Sequence, residues 1–287
     1  MKEKIKIFLE LVKFRITFFV MITTGFGYIS ASDQYDSNLL FVLLGTLILA
    51  FGSAALNQYQ ERNTDSLMDR TKSRPIPAGK ISENNALILS FLLIVSGSII
   101  LILGVNLLAF AFGILNLFWY NFIYTPLKRK TALAIIPGSL VGAIPPIIGW
   151  VAANGDLFDF RIIVISFFFF IWQIPHFWIL LLKLDKDYQL AKFPTITSNF
   201  SKQQLARIIF SWTVATGLCS ILIPLSLKLT NTLTMSLIIS LVLFIIFSSI
   251  KLLKFSENNF STISSFRTIN LFVLSVIIVI SINKMVF

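Results

Sequence analysis

The sequence predicts an all-α polytopic membrane protein. About nine transmembrane helices are expected around a central cavity, with the N-terminus cytoplasmic and the C-terminus outside. Three observations carry this expectation. Of the 287 residues, 56% are hydrophobic, 29 are Phe, and only 13% are charged, about half the charged share of an average soluble domain. Apolar stretches of about 20 residues, the length that crosses a bilayer, recur along the chain. The loops between them alternate between many and few Lys and Arg. Such a composition lacks the polar surface of a soluble globular enzyme and is too apolar for a disordered chain. Cys219 is the only cysteine and His176 the only histidine, which excludes a disulfide scaffold, a cysteine metal cluster and a multi-histidine site within one chain. Any metal chemistry falls to carboxylates.

The first span, near 14–32, follows Lys2, Lys4 and Lys6 and ends in Ser30-Ala31-Ser32. That pattern imitates a signal peptide, but Lys13 and Arg15 stand beside its start and further spans follow, so an uncleaved helix is expected. The polar turn Asp33-Gln34-Tyr35-Asp36-Ser37 separates it from the second span, near 38–56. The third to sixth are expected near 84–104, 106–124, 133–153 and 162–182, with Asn154-Gly155-Asp156 punctuating the last two. The remaining three lie near 206–226, 233–252 and 265–285. An odd number of spans puts the termini on opposite sides. Of the 24 Lys and Arg, all but Arg161, Lys228 and Lys284 then share the side of the N-terminus, the cytoplasmic one by the positive-inside rule. The net charge of +11 is therefore a topology signal. It asks for no nucleic acid; the partner is the lipid bilayer, and residues 1–287 read as one membrane-embedded domain.

Topology asks nothing of acids, yet all but Asp33, Asp36, Asp156 and Asp159 lie on the inner side. After span 2, Asn57, Glu61, Asp65 and Asp69 recur every four residues. On a helix each such step drifts only about 40°, so the four share one face. Stacked acids repel one another, and a polycation offsets that. Mg²⁺ suits hard oxygen ligands and is usually held by one or two carboxylates plus substrate phosphates. The plainer alternative is a solvated acidic face paired with Arg62, Arg70 and Lys72. The segment that follows, Lys72-Ser73-Arg74-Pro75-Ile76-Pro77-Ala78-Gly79-Lys80, is basic and stiffened by two prolines. It suits either a lid over an anion or a plain connector.

A second acidic set follows span 6, where Lys183-Leu184-Asp185-Lys186-Asp187-Tyr188 leads to Phe193-Pro194. Asp185 and Asp187 point to different sides of a helix, so only one joins a given site; Asp187, one turn after Lys183, is the choice. Both sets emerge on one side. Between them span 4 ends in Tyr124-Thr125-Pro126-Leu127-Lys128-Arg129-Lys130 and supplies cations. Two carboxylate sets with several cations over an apolar cavity suit a diphosphate with a greasy tail. His176 is an ionisable group inside a span, which marks a functional candidate or a hydrogen-bonded packing residue. It lies about 16 Å from Asp187 along a straight helix. Trp119, Trp150, Trp172, Trp178, Trp212 and Cys219 read as interfacial or packing residues.

At these residues the chain resembles the UbiA-type intramembrane prenyltransferases, and within them the protohaem IX farnesyltransferases. The first motif of that family matches Asn57, Glu61, Asp65, Met68, Arg70 and Thr71, followed by Arg74-Pro75. Further matches are residues 124–129, 138–149, 175–178 and 187–194. They run from about 52 to 197, and the last three spans carry the hydropathy pattern alone. Glu61 stands where Asp is usual.

The resemblance implies transfer of a farnesyl group from farnesyl diphosphate to the 2-vinyl group of haem B, with water addition, giving haem O for haem-copper oxidases. It implies Mg²⁺ as cofactor, held by Asn57, Glu61, Asp65, Asp69 and Asp187. Catalytic roles fall to Asp65, Asp187, Lys128, Arg70 and His176, the last near the haem as an iron ligand or a propionate or water contact. Binding roles fall to Arg74, Tyr124, Arg129, Lys183 and Tyr188. The expected location is the inner membrane with the site at its cytoplasmic face, with haem-handling or oxidase-assembly proteins as candidate partners. Two alternatives stay open: prenyl transfer to an aromatic acid or quinone precursor, and a cation-coupled transporter. Against the transporter, no span carries an acid near its middle, where a coupling site is expected.

Overall fold

Nine helices long and apolar enough to cross a membrane follow one another through the described residues, one at each expected span. The computed structural model describes residues 2–198, 200–254 and 262–286, with the side chains of residues 183 and 198 outside that description. Helix α1 (Lys2–Leu11) precedes the spans and turns into α2 (Phe14–Ala31) through Lys13, whose φ of 50° is left-handed. Then come α3 (Ser37–Asp65), α4 (Glu83–Gly104) and α5 (Leu107–Phe118). The latter continues through a π-helical turn, Trp119–Tyr124, into the single turn α6 (Thr125–Leu127). Short α7 (Ile135–Gly138) and α8 (Leu140–Ala152) make the fifth span, and α9 (Phe160–Leu190) the sixth. Helices α10 (Lys202–Ser226), α11 (Thr232–Ser249) and α12 (Thr262–Val286) complete the set.

Short polar side chains cap most of the spans, and one of them, Asp36, lies in a turn read as a break in the sequence. Asp36, Ser82, Asn106, Asp159, Ser201 and Asn231 each accept a backbone N–H of the helix they begin, which satisfies donors that helix geometry leaves open. Inside the spans, Thr24, Thr216 and Ser220 donate to carbonyls of their own helices, so their hydroxyls need no water. Large apolar side chains such as Phe91, Leu103, Phe247 and Leu271 face outward, as a lipid surround allows.

Helices α3 and α9, with 29 and 31 residues, are about 44 and 46 Å long against a hydrocarbon core of about 30 Å. Each overruns its expected span, and the overrun carries the polar residues. Their ends meet: the Arg70 N–H donates to Asp187 Oδ2 at 3.4 Å, and Met68 packs with Tyr188, Ala191 and Phe193. At the opposite end Lys284 pairs with Asp33, so the C-terminal end of α12 lies beside the α2–α3 turn, as an odd number of spans requires.

The helices that frame the centre touch backbone to backbone. A Cβ on Gly149 of α8 would lie 1.8 Å from the Thr24 carbonyl oxygen of α2. Small residues are how membrane helices reach such contact. Gly149→Ala is therefore expected to destabilise the fold by about 1–3 kcal/mol, the usual cost of overpacking. A lowered unfolding temperature in detergent checks this; an unchanged one refutes the packing role.

Candidate active site

A cavity of ≈ 240 Å³ opens among α2, α3, α5, the π turn, α8 and α9. Its inner wall is apolar, with Val20, Leu49, Ala50, Leu117, Val141 and Ile148. Its mouth is charged. Lys13, Arg70, Arg74 and Lys128 face Glu61 and Asp65 there, four cations against two carboxylates.

Asn57, Glu61 and Asp65 all point into the cavity from one face of α3, as their four-residue spacing demands. Asp65 is 1% exposed. Arg74 Nη1 donates to its Oδ2 at 2.7 Å, while its Oδ1 is buried with no partner among the described residues. Glu61 pairs with Lys128, whose ammonium also stands 5.5 Å from the centre of the Phe193 ring. Asn57 is engaged at both ends: its Oδ1 accepts from Lys13 Nζ at 2.5 Å and its Nδ2 donates to Thr125 Oγ1 at 2.8 Å.

Asp69 departs from the expected face. Helix α3 ends at Asp65, the chain turns, and Asp69 is exposed with its partner Lys72 at 2.6 Å. That hydrogen bond and the ammonium charge hold the Asp69 carboxyl below the usual carboxylate range. The regular spacing suggested one more helical turn. Backbone bonds from Thr71 and Lys72 to the Met68 carbonyl and from Thr71 Oγ1 to the Asp65 carbonyl instead fold residues 66–74 over the mouth and bring Arg74 back onto Asp65.

Tyr124 and Tyr188 line the cavity. Asp187 is not among the lining residues; it stands at the rim, where it meets Arg70. Asp185 accepts instead from Thr197 and Gln189. Arg129 also lies off the cavity, its Nη2 donating to the Gln60 carbonyl at 2.7 Å, so it ties span 4 to α3. Lys183 lies in α9 with its side chain outside the described residues. His176 does not line the cavity. Its Nδ1 is 2.7 Å from Asn270 Oδ1 of α12, and its ring packs on Trp172, Phe177 and Phe266. The arrangement is that of a hydrogen-bonded packing residue joining α9 to α12.

The principal residue missed by sequence reasoning is Lys13. It counts toward topology, yet its ammonium is drawn inside, bonded to Asn57 and 3.3 Å from the Tyr120 hydroxyl. Burial, reinforced by the Arg74 charge, lowers its pKa to about 7. The signal available was that Lys13 and Arg15, two apart, cannot face the same way. Arg15 is exposed. Tyr120 was missed as well. The π turn sets Tyr120 and Tyr124 as stacked rings 6.1 Å apart, and such wide turns recur at functional sites.

The UbiA prenyltransferase family profile matches residues 19–276. A protoheme IX farnesyltransferase of Geobacter sulfurreducens is 38% identical over 198 residues, covering 69% of this chain and 73% of that protein. One of Cytophaga hutchinsonii is 37% identical over 217 residues, covering 75% and 76%. Among solved structures, a study of digeranylgeranylglyceryl phosphate synthase in membranes provides one that superposes with a TM-score of 0.77 at 19% identity, covering 99% of this chain and all of the other. A UbiA homologue from Archaeoglobus fulgidus bound to GPP and Mg²⁺ superposes with a TM-score of 0.70 at 14% identity, covering 96% and 99%. At these identities the structures attest the fold. The profile and the sequence relatives attest more: this chain belongs to the UbiA prenyltransferase family, with protoheme IX farnesyltransferases among its relatives.

Proposed function

We propose that the protein transfers the farnesyl group of farnesyl diphosphate to the 2-vinyl group of haem B, with addition of water, to make haem O. The observation that carries the chemistry is the excess of cations at the mouth of an apolar cavity. Four cations over two carboxylates favour an anion with a greasy tail. A cation path, as a transporter needs, is disfavoured by the same charge. The names of the relatives support haem as the acceptor over an aromatic acid.

The costly event is heterolysis of the allylic C–O bond, whose electron pair leaves with the diphosphate. Lys13, Arg74 and Lys128 are preorganised where that negative charge grows. The vinyl π pair then forms the new C–C bond to the allylic carbon. Water adds to the cation left beside the porphyrin and releases a proton. Before that, the apolar wall of Val20, Leu49, Val141 and Ile148 keeps water from the allylic cation.

The donor set fits Mg²⁺. Asp65 Oδ1 is a buried hard acceptor with no partner among the described residues, one turn from Glu61, with Asp187 at the rim. These three would hold the metal, and when bound it supplies Lewis-acid charge to the leaving diphosphate. Asn57, engaged by Lys13 and Thr125, serves as the residue that positions Lys13. Asp69 has no place in this assignment. The site would open at the cytoplasmic face of the inner membrane, where the mouth carries the Lys and Arg that the positive-inside rule puts inside.

Membranes containing the protein, given haem B, farnesyl diphosphate and Mg²⁺, are expected to yield haem heavier by a farnesyl group plus a hydroxyl. Unmodified haem alongside prenylation of a phenolic acid refutes the haem assignment.

A further inference from the structure

Hydration of the acceptor makes a demand that the cations and carboxylates of the mouth do not meet. Val20, Leu49, Val141 and Ile148 form an apolar wall, yet a water must reach the cation left beside the porphyrin. Freely admitted water would also be present when the allylic cation forms, and would quench it. The water must therefore be held singly, and a held water needs polar partners in the wall.

Gln173 of α9 lines the same cavity. It is only partly buried, and its amide makes no hydrogen bond to any described residue. Elsewhere in the chain Asn57, Asn106, Asn121, Asn270 and Asn283 all have hydrogen-bond partners. Thr46 Oγ1 and Asn116 Oδ1 also lack partners among the described residues, but both are sealed from the cavity, whereas the Gln173 amide is accessible. Gly142 of α8 seats that amide: a Cβ there would run into Gln173 Nε2 and Cδ. The lining to either side is apolar, with Val141 next to Gly142 and Phe177 one turn along α9. At this depth an amide with open bonds is costly, and a polar guest that completes them removes the cost.

The depth suits the reaction. Lys13 Nζ lies 3.3 Å from the Tyr120 hydroxyl at the mouth. Tyr120 stacks on Tyr124, and Tyr124 packs on Phe177 with ring centres 6.3 Å apart. Gln173 is one turn, about 6 Å, further inward along α9. A diphosphate on the cations sets its allylic carbon at the ring layer, and the carbon to be hydrated is two bonds beyond. The remaining gap to the amide is what one bridging water spans, at about 2.8 Å per contact.

Resting on the prenyl-transfer reading above, we propose that Gln173 is a positioning residue that stations the hydrating water. Its Oε1 accepts one O–H of the water and aims the oxygen lone pair at the cation. That pair forms the new C–O bond, and the proton released passes to the departed diphosphate. Without a stationed water the same cation is discharged differently. The neighbouring methylene gives up a proton to the diphosphate, its C–H pair becomes a C=C bond, and the product is lighter than the alcohol by one water.

The partition between these two products tests the assignment. Membranes receive haem B, farnesyl diphosphate and Mg²⁺, and the extracted haems are resolved by mass spectrometry. The ratio within one sample does not depend on how much enzyme is folded. Gln173→Leu, which keeps the bulk and removes the amide, is expected to raise the alkene-to-alcohol ratio at least ~10-fold. Gly142→Ala, which keeps the amide but displaces it from its seat, is expected to move the ratio the same way. Ratios within about twofold of native in whichever variant accumulates, even with lower turnover, overturn the water-positioning role and leave prenyl transfer intact. Native protein that makes neither product overturns the underlying reading instead.

Discussion

Asp65→Asn is expected to lower farnesyl transfer at least ~100-fold with membrane insertion unchanged. The substitution keeps the shape of the side chain and removes its charge. Two losses follow at one place. Arg74 loses the anion it meets at 2.7 Å, and the buried Oδ1, with no partner among the described residues and proposed above as a Mg²⁺ ligand, becomes a weak ligand or an amide nitrogen. Insertion depends on the apolar length of the spans, which does not change. The loss is expected in kcat, with raised Mg²⁺ demand, because the interaction strengthens as the leaving group gains charge. Near-native turnover at ordinary Mg²⁺ would remove the metal assignment. Asp69→Asn serves as the control and is expected to be near native, since that carboxylate is exposed and paired with Lys72 outside the cavity.

Lys13→Met is expected to raise the KM for farnesyl diphosphate about 10-fold or more and to change its dependence on pH. Methionine keeps much of the stem volume but donates nothing to Asn57 or to an anion. With its pKa lowered to about 7 by burial and the neighbouring Arg74, Lys13 is an ammonium below that pH and an amine above it. Affinity for a diphosphate therefore falls as pH rises through about 7 and is greatest on the acid side. The variant should lack this component, and Lys13→Arg, charged throughout, should bind at high pH better than the native protein. KM profiles of the three proteins between about pH 6 and 9 decide it, since Lys13 titrates inside that window and Arg does not. Parallel profiles for all three would mean that Lys13 does not meet the diphosphate.

Much of the candidate site was legible because its residues repeat with helical spacing. Asn57, Glu61 and Asp65 share a face for reasons that any helix imposes, and the matching Arg74, Lys128 and Tyr188 lie close to motif acids or in adjoining loops. Asp69 shows where that logic stops. Periodicity says which residues would align if the helix continued, and whether it continues depends on bonds made by the following loop. His176 shows a second limit. A lone histidine in a span draws attention by its chemistry, but Asn270, its partner, lies 94 residues away, in a span that carried only hydropathy. Lys13 shows a third: a charge next to an apolar run counts toward topology whichever way it points, and position along the chain does not reveal that its ammonium enters the cavity.

The helical class and the spans were legible from the order of residues alone, as was the expectation of which loops face the cytoplasm. These follow from apolar length and from the count of cations in each loop, which are local and nearly additive quantities. Packing in three dimensions was needed to tell which charges enter the cavity and where α3 stops. Those outcomes depend on contacts between distant segments, such as Lys13 with Asn57 and Arg70 with Asp187. In a medium without water, each buried polar group must find its partner in the protein, and the packing of the helices sets which partner it meets.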